Sequence, residues 1–217
     1  MLAKLFLSFS VFFCLFFSVN ISLSQKMTDK DYADSVYNSM DYSNSVVRDL
    51  AVKLAKKAGG IYNIKQICYI WDYLKKNWSY VSDPSNSEYI AKASESADLL
   101  AGDCDDFAVL LAALLKDIGG TPRIILAWNS TGGHAFTEIF ATNDFKKLKK
   151  LFENIQNFYN WKNLHKGKKY TLYYEKTKQG YWINLDWNSK YVGDSPIFNY
   201  TKRIIISDDG TYTIENK

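Results

Sequence analysis

The chain has 217 residues, and its 27 lysines and arginines exceed its 23 aspartates and glutamates by a net charge of only +4. So small an excess of positive charge does not indicate a nucleic-acid-binding protein. Aromatic side chains make up 16% of the sequence, which is enough for a substantial core. A chain of this length is expected to form one domain.

Residues 1–24 have the form of a secretory signal peptide. Lys4 precedes an apolar run, and the small residues Ser22 and Ser24 occupy the positions that a signal peptidase reads. We therefore expect cleavage after Ser24 and export to the periplasm or the medium. The alternative is an uncleaved membrane anchor formed by residues 5–22, which is close to the shortest length that spans a bilayer.

The next part of the chain predicts helices. The pattern over residues 25–59 is helical and ends at a pair of glycines, which is a C-cap signal. A further helix carries Cys68 among apolar residues at helical spacing, so Cys68 is expected to be a buried, unreactive thiol. Residues 78–96 contain an Asp-Pro pair and several serines and are expected to form a loop. A strongly apolar helix then runs from Cys104 to the glycines at 119–120.

The second half of the chain predicts strands around one more helix. Residues 121–142 form a hairpin around a Ser-Thr-Gly-Gly turn, and residues 143–161 form an amphipathic helix. Residues 168–188 hold two strands, and residues 203–216 hold a final hairpin with an Asp-Gly turn. Helices precede strands along the chain, and this order predicts an α+β fold for a single domain over residues 25–217.

The helix over residues 143–161 has a lysine-rich face. A solvated face on a packed helix is the simpler interpretation, and contact with an anionic surface is the alternative. The lysines concerned are Lys146, Lys147, Lys149 and Lys150.

Cys104 stands directly before the apolar helix, in the sequence Gly-Asp-Cys-Asp-Asp. With Asp103 as the N-cap and Asp106 reaching back to it, the spacing predicts an Asp-based capping box. The Cys104 sulfur would then lie near the positive end of the helix dipole, which favours the thiolate. The flanking carboxylates oppose that charge, so a cation beside the sulfur would have to outweigh them.

Of the two histidines, His134 is the better candidate for that cation. It opens a strand, whereas His165 lies in a lysine-rich loop. A cysteine at a helix start, a histidine on a following strand and an orienting carboxylate form a nucleophile, a base and an orienter. Asp186 is the best candidate for the orienter, because a carboxylate within an apolar, aromatic strand is costly unless it is paired. Glu138 and Asp194 are weaker rivals.

Three blocks of the sequence together resemble the transglutaminase-like superfamily, which has a papain-like fold. They occur in the order GDCDDFAVLLAALLKDIGGTPRIILAW, GGHAFTEIF and YWINLDWN. The resemblance implies N-terminal helices with the nucleophile helix packed on an antiparallel β-sheet. It also implies a Cys104–His134–Asp186 triad and acyl transfer through a thioester. The 51 residues between His134 and Asp186 exceed the separation usual in the family, so residues 143–180 are interpreted as a lysine-rich insertion.

The triad predicts an enzyme that hydrolyses a peptide, protein or cell-wall amide. The signal peptide predicts that this enzyme is exported. Transfer to an amine, which would cross-link proteins, is one alternative, and a binding module without catalysis is another. Backbone N–H groups at the helix start, including that of Cys104, would hold the oxyanion, with Trp78 or Tyr80 as a candidate second donor. We expect no cofactor and no metal, since the sequence has no Cys-x-x-Cys or His-x-x-His pair.

Overall fold

The computed structural model describes residues 27–84, 88–161, 171–196 and 198–217. The predicted signal peptide and the alternative anchor lie outside these ranges, as does His165. The helices are α1 (Asp29–Ser39), α2 (Ser45–Ala58), α3 (Ile64–Asn77), α4 (Ala93–Leu99), α5 (Cys104–Asp117) and α6 (Phe145–Trp161). The strands are β1 (Ser79–Tyr80), β2 (Ala101–Gly102), β3 (Pro122–Asn129), β4 (Gly132–Thr142), β5 (Tyr174–Lys176), β6 (Tyr181–Asn184), β7 (Lys202–Ser207) and β8 (Tyr212–Asn216).

The helical pattern before residue 60 divides into two helices, each with its own polar N-cap. The Thr28 side chain caps α1, and the Asn44 side chain caps α2 by accepting from the backbone N–H of Val46 at 3.0 Å. Gly59 ends α2 with a φ of 70°. Side-chain caps satisfy N–H groups that a helix start leaves without a backbone partner, and this fixes where each helix begins.

The segment predicted as a loop contains the short helix α4, which the sequence did not indicate. Ala93 and Ser96 on this helix are buried, and α4 packs against α2 and α5. A seven-residue helix is not stable alone in water, so tertiary packing holds it. The same segment contributes β1, which pairs in parallel with β2 and brings Tyr80 opposite Gly102, two residues before Cys104.

The main sheet has six strands in the order β5-β6-β4-β3-β7-β8, and every neighbouring pair is antiparallel. Helix α5 packs on β3 and β4 and is buried throughout its length from Asp105 to Leu115. The predicted α+β fold, with the nucleophile helix on an antiparallel sheet, is therefore confirmed.

Part of the segment interpreted as an insertion belongs to the main core. Leu148, Ile155 and Tyr159 on α6 are buried in it, and β5 extends the sheet beside β6. The four lysines named above are exposed on α6. Within the described residues, no helix combines the length and the apolar character needed to cross a bilayer.

Candidate active site

Cys104 is the first residue of α5, and two carboxylates fix the start of that helix. Asp103 is the N-cap, and its Oδ1 accepts from the backbone N–H of Asp105 at 3.2 Å. Asp106 closes the capping box, because its Oδ2 accepts from the backbone N–H of Asp103 at 3.2 Å. Its Oδ1 accepts from the backbone N–H of Ala91 at 2.8 Å and so ties the chain before α4 to the helix start.

His134 on β4 and Asp186, just beyond the end of the neighbouring strand β6, lie within hydrogen-bonding distance. His134 Nε2 is 2.8 Å from Asp186 Oδ2, and their side chains are only 9% and 1% exposed. β4 pairs with β6, so that Glu138 lies opposite Asn184, and Asp186 follows two residues after the end of β6. Strand pairing thus bridges the long separation of the two residues in sequence.

Backbone and side-chain groups around Asp186 hold its carboxylate in place. Its Oδ1 accepts from the backbone N–H of Asn188 at 2.9 Å, which leaves Oδ2 for His134. The backbone N–H of Asp186 donates to Asn184 Oδ1 at 3.1 Å. Asn184 is fully buried and also donates to Ser189 Oγ at 3.1 Å. Both carboxylate oxygens are therefore partnered, as burial of a charged group requires.

Cys104 and His134 line one cavity of about 270 Å³, and the backbone N–H of Ala135 hydrogen-bonds to the Cys104 sulfur. This contact places the sulfur beside the residue that follows His134 on β4. The other side chains that line the cavity are aromatic, acidic and aliphatic: Tyr32, Tyr80, Trp128, Glu88, Asp103, Asp105, Ile90, Leu126 and Ala135.

Burial raises the pKa of the Cys104 thiol to about 12, and the charges of Asp103 and Asp105 add to the rise. The N–H groups of Ala135 and of Cys104 itself act in the opposite direction. Burial and the neighbouring Asp103 also hold the pKa of the Asp105 carboxyl well above its usual range. Desolvation therefore opposes the thiolate that the helix dipole would favour.

The two residues considered as second oxyanion donors differ in their surroundings. The indole N–H of Trp78 donates to the Gly102 carbonyl at 3.1 Å, and Trp78 does not line the cavity. The proposed role of Trp78 therefore has no support, because its donor is already used. Tyr80 lines the cavity and stacks on Trp187 with ring centroids 5.2 Å apart. The Cys104 sulfur is close enough to contribute to a raised pKa of the Tyr80 hydroxyl, after burial as the main cause.

The rival carboxylates are occupied elsewhere. Glu138 forms a buried ion pair with Arg123, whose Nε donates to Oε2 at 2.7 Å. Asp194 Oδ2 accepts from the backbone N–H of Lys190 at 3.0 Å and closes a turn. Asp186 is thus the carboxylate that the fold brings to His134.

Potential metal ligands occur at the start of α5. Asp103, Cys104 and Asp105 place one ligand atom each within 4.8 Å of one another, and they form the one such group among the described residues. Both carboxylates already accept backbone N–H groups of α5. No histidine joins them, and the expectation of a metal-free site stays a prediction.

A buried helix that starts at a cysteine and packs on an antiparallel sheet bearing a His–carboxylate pair is the arrangement of the papain-like class. The chain belongs to the transglutaminase-like superfamily, whose core family model matches residues 48–186. The match runs from α2 to Asp186 and covers more than half of the chain. No curated protein matches the sequence.

Solved structures that match this chain include proteins from two bacteria. A cysteine protease candidate from Cytophaga hutchinsonii is 17% identical, with a TM-score of 0.40 over 79% of this chain and 46% of that chain. This chain therefore spans about half the length of that protein. Calcium-bound LapG from Legionella pneumophila is 14% identical, with a TM-score of 0.46 over 79% of this chain and 82% of that chain. EGTA-treated LapG is 13% identical, with a TM-score of 0.46 over 81% of this chain and 84% of that chain.

Several groups at the site were not found from the sequence. The Ala135 N–H is a backbone group, which residue types cannot reveal. Trp71 and Lys75 on α3 reach the loop that carries Asp186. Their separation of four residues places them on one helix face, but that pattern also fits ordinary packing.

Proposed function

We propose that this protein is a cysteine-dependent acyl-transfer enzyme that hydrolyses peptide or other amide bonds through a thioester on Cys104. The observation that carries this proposal is the hydrogen bond between Asp186 and His134, the histidine that lines one cavity together with Cys104. A nucleophile, a base and a residue that orients the base are the three parts that such catalysis requires.

The first half of the reaction acylates the enzyme. Because Asp186 Oδ2 accepts from His134 Nε2, the other ring nitrogen, Nδ1, is left to take a proton. As the Cys104 sulfur attacks the substrate carbonyl carbon, its proton moves to Nδ1, a C–S bond forms and the carbonyl oxygen becomes an oxyanion. The raised pKa of the thiol favours this transfer during attack over an ion pair formed beforehand. The C–N bond then breaks, and the imidazolium returns the proton to the leaving amine.

The second half releases the acyl group. A water molecule gives a proton to His134 and attacks the thioester carbonyl, and the C–S bond breaks. The product is a carboxylic acid, and the sulfur takes the proton back from His134. If an amine attacks in place of water, the product is a new amide and the reaction is a cross-link. Because water is abundant, hydrolysis is the primary proposal.

The oxyanion would be held at the start of α5. The backbone N–H of Cys104 belongs to the first turn of the helix, where N–H groups lack an intrahelical partner and the dipole favours negative charge. Tyr80 is the candidate for a second donor, because it lines the cavity close to the sulfur. Such donors act on the charge that develops in the transition state.

The experiment that tests the proposal is trapping of an acyl-enzyme on Cys104. The protein would be incubated with a mixture of peptides and cell-wall fragments, and acylated cysteines would be mapped by mass spectrometry. We expect an adduct on Cys104 that accumulates and turns over in the unmodified enzyme and is absent in Cys104→Ala. Cys68→Ala is the matched control and should retain the adduct. Turnover that survives Cys104→Ala would refute the proposal.

The proposed site of action lies outside the cytoplasm. The charge, apolar run and small residues of residues 1–24 support export and cleavage after Ser24, with an anchor over residues 5–22 as the alternative. N-terminal sequencing of the protein recovered from cell fractions tests both. A mature form that begins at Gln25 supports cleavage, and an intact N-terminus in the membrane fraction supports the anchor.

A further inference from the structure

Two side chains of α3 donate hydrogen bonds to backbone carbonyls of the loop that carries Asp186. The indole N–H of Trp71 donates to the Leu185 carbonyl at 3.0 Å in a buried hydrogen bond. The Lys75 ammonium donates to the Trp187 carbonyl at 2.8 Å and also to the Ser189 carbonyl. Trp71 and Lys75 lie one helical turn apart, and the ammonium is 5.0 Å from the Trp71 ring centroid.

These contacts bear directly on the orientation of the Asp186 carboxylate. The carbonyls that Lys75 holds belong to the residues on either side of Asn188. The backbone N–H of Asn188 donates to Asp186 Oδ1 and thereby sets which oxygen faces His134. The Trp187 carbonyl belongs to the same peptide group as the Asn188 N–H, so binding this carbonyl fixes the N–H that orients the carboxylate, and the bond to the Ser189 carbonyl holds the turn beyond it.

We infer that Lys75 is a positioning residue for the His134–Asp186 pair, which it holds in place by binding the Trp187 and Ser189 carbonyls. The inference rests on the proposed function and adds to it a residue that touches neither substrate nor sulfur. The charge of Lys75 also attracts Asp186. Burial lowers the pKa of the Lys75 ammonium, and Asp186, Asp194 and Asp72 act against that lowering.

The hydrogen bonds from Lys75 also support one wall of the cavity. Trp187, whose carbonyl Lys75 binds, stacks face to face on Tyr80 with an interplanar angle of 19°. Tyr80 in turn lines the cavity beside Cys104. A displacement of the turn at Asn188 would therefore disturb both the contact of Asp186 with His134 and the position of Tyr80 in the cavity wall.

The test compares substitutions at Lys75 by a spectroscopic signal of the pair itself. An imidazole N–H bonded to a carboxylate gives a far-downfield proton resonance, and the chain has only two histidines, so His165→Ala assigns the signal to His134. Lys75→Met keeps a long side chain without the ammonium, and Lys75→Arg keeps the charge and the donors. The matched control is Lys76→Met, because Lys76 is the exposed neighbour on the same helix. Asp186→Asn is the reference for loss of the pair.

We expect Lys75→Met to weaken or abolish the resonance and to lower kcat by about 10- to 100-fold, as misplacement of a catalytic group does, with kcat measured on the peptide that acylates Cys104 in the trapping experiment. Lys75→Arg should keep most of the resonance and most of kcat, and Lys76→Met should change neither the resonance nor kcat. If Lys75→Met does not fold, Lys75→Gln, which keeps one donor, should give an intermediate loss. A folded Lys75→Met or Lys75→Gln with full signal and full kcat would overturn the inference.

Failure of the inference can be told apart from failure of the proposed function. If Asp186→Asn leaves the resonance unchanged, or if Cys104→Ala remains active, then the triad itself is wrong. If both of those variants behave as expected while the Lys75 variants match the unmodified protein, only the role of Lys75 is wrong.

Discussion

Gly102 and Asp106 approach so closely that a β-carbon on Gly102 would lie 2.3 Å from Asp106 Oδ2 and 2.6 Å from Asp106 Cβ. Gly102 also has a φ of 149°, a backbone angle that residues other than glycine rarely adopt. The carboxylate that it faces accepts from the N–H groups of Ala91 and Asp103. The helix start that presents Cys104 therefore depends on the absence of a side chain at position 102.

Gly102→Ala should destabilise the protein by about 2–4 kcal/mol, because Asp106 must move and leave buried N–H groups without partners. The control is Gly119→Ala, where φ is 92° but no atom lies within 4 Å of the added carbon. Backbone strain alone should cost about 1–2 kcal/mol there. Urea unfolding of both variants measures the difference, and equal losses would contradict the role given to the close contact.

Alkylation of Cys104 by iodoacetamide should be slow at neutral pH and should still accelerate above pH 9. The reason is that burial and nearby carboxylates raise the pKa of the thiol to about 12, whereas a free cysteine titrates near ~8.5. The measurement uses the Cys68→Ala protein, so that one thiol of the domain is followed. A rate that reaches its plateau below pH 7 would instead mean that a thiolate–imidazolium pair forms at rest.

Asp103→Asn should increase the alkylation rate of Cys104 at pH 8 by about three- to tenfold. The substitution removes a negative charge that raises the pKa of the thiol, and a tenfold change in thiolate corresponds to about one pKa unit. Asparagine caps a helix as well as aspartate does, so the start of α5 should persist. Asp98→Asn, at an exposed position on α4, is the control and should leave the rate unchanged. An unchanged rate in Asp103→Asn would mean that burial alone sets the reactivity of the thiol.

Asp117→Asn should stabilise the protein at pH 7 to 8 and have little effect near pH 4. Asp117 is the last residue of α5, where the helix dipole disfavours negative charge, and its buried Oδ2 has no hydrogen-bond partner. Burial raises the pKa of this carboxyl from 3.8 to about 6. The folded state thus binds the proton more tightly than the unfolded state, and the destabilising charge appears as pH rises from about 4 to 6.

The size of the stability gained in Asp117→Asn follows from the shift in the pKa of the Asp117 carboxyl. Two pKa units correspond to about 3 kcal/mol for a fully buried group, and the partial exposure of Asp117 reduces this to about 1 kcal/mol. Thermal or urea unfolding at pH 4 and pH 8 provides the measurement. Asp49→Asn, on the exposed face of α2, should show no such pH-dependent gain. A gain of equal size at both pH values would contradict the titration of Asp117 as its cause.

Much of the local structure could be read from the sequence because its signals are local. The Asp103 cap, the glycines that end helices and the alternation along β4 each depend on a few neighbouring residues. Helix α4 was missed because its seven residues are held by α2 and α5 rather than by their own pattern. The pairing of β3 with β7 was missed for the same kind of reason, since it joins segments about 80 residues apart.

The family, the α+β order of elements and the short set of residues able to do cysteine chemistry all follow from residue types and their spacing along the chain. The preference for Asp186 over Glu138 was also available from the sequence, but the partner of Glu138 was not, since Arg123 on β3 meets it only through strand pairing. The burial that raises the pKa of the Cys104 thiol and the contact of Lys75 with the Asp186 loop likewise arise only in the folded chain. Burial and ion pairing depend on which distant segments come together in space, and residue spacing along the chain does not encode those distances.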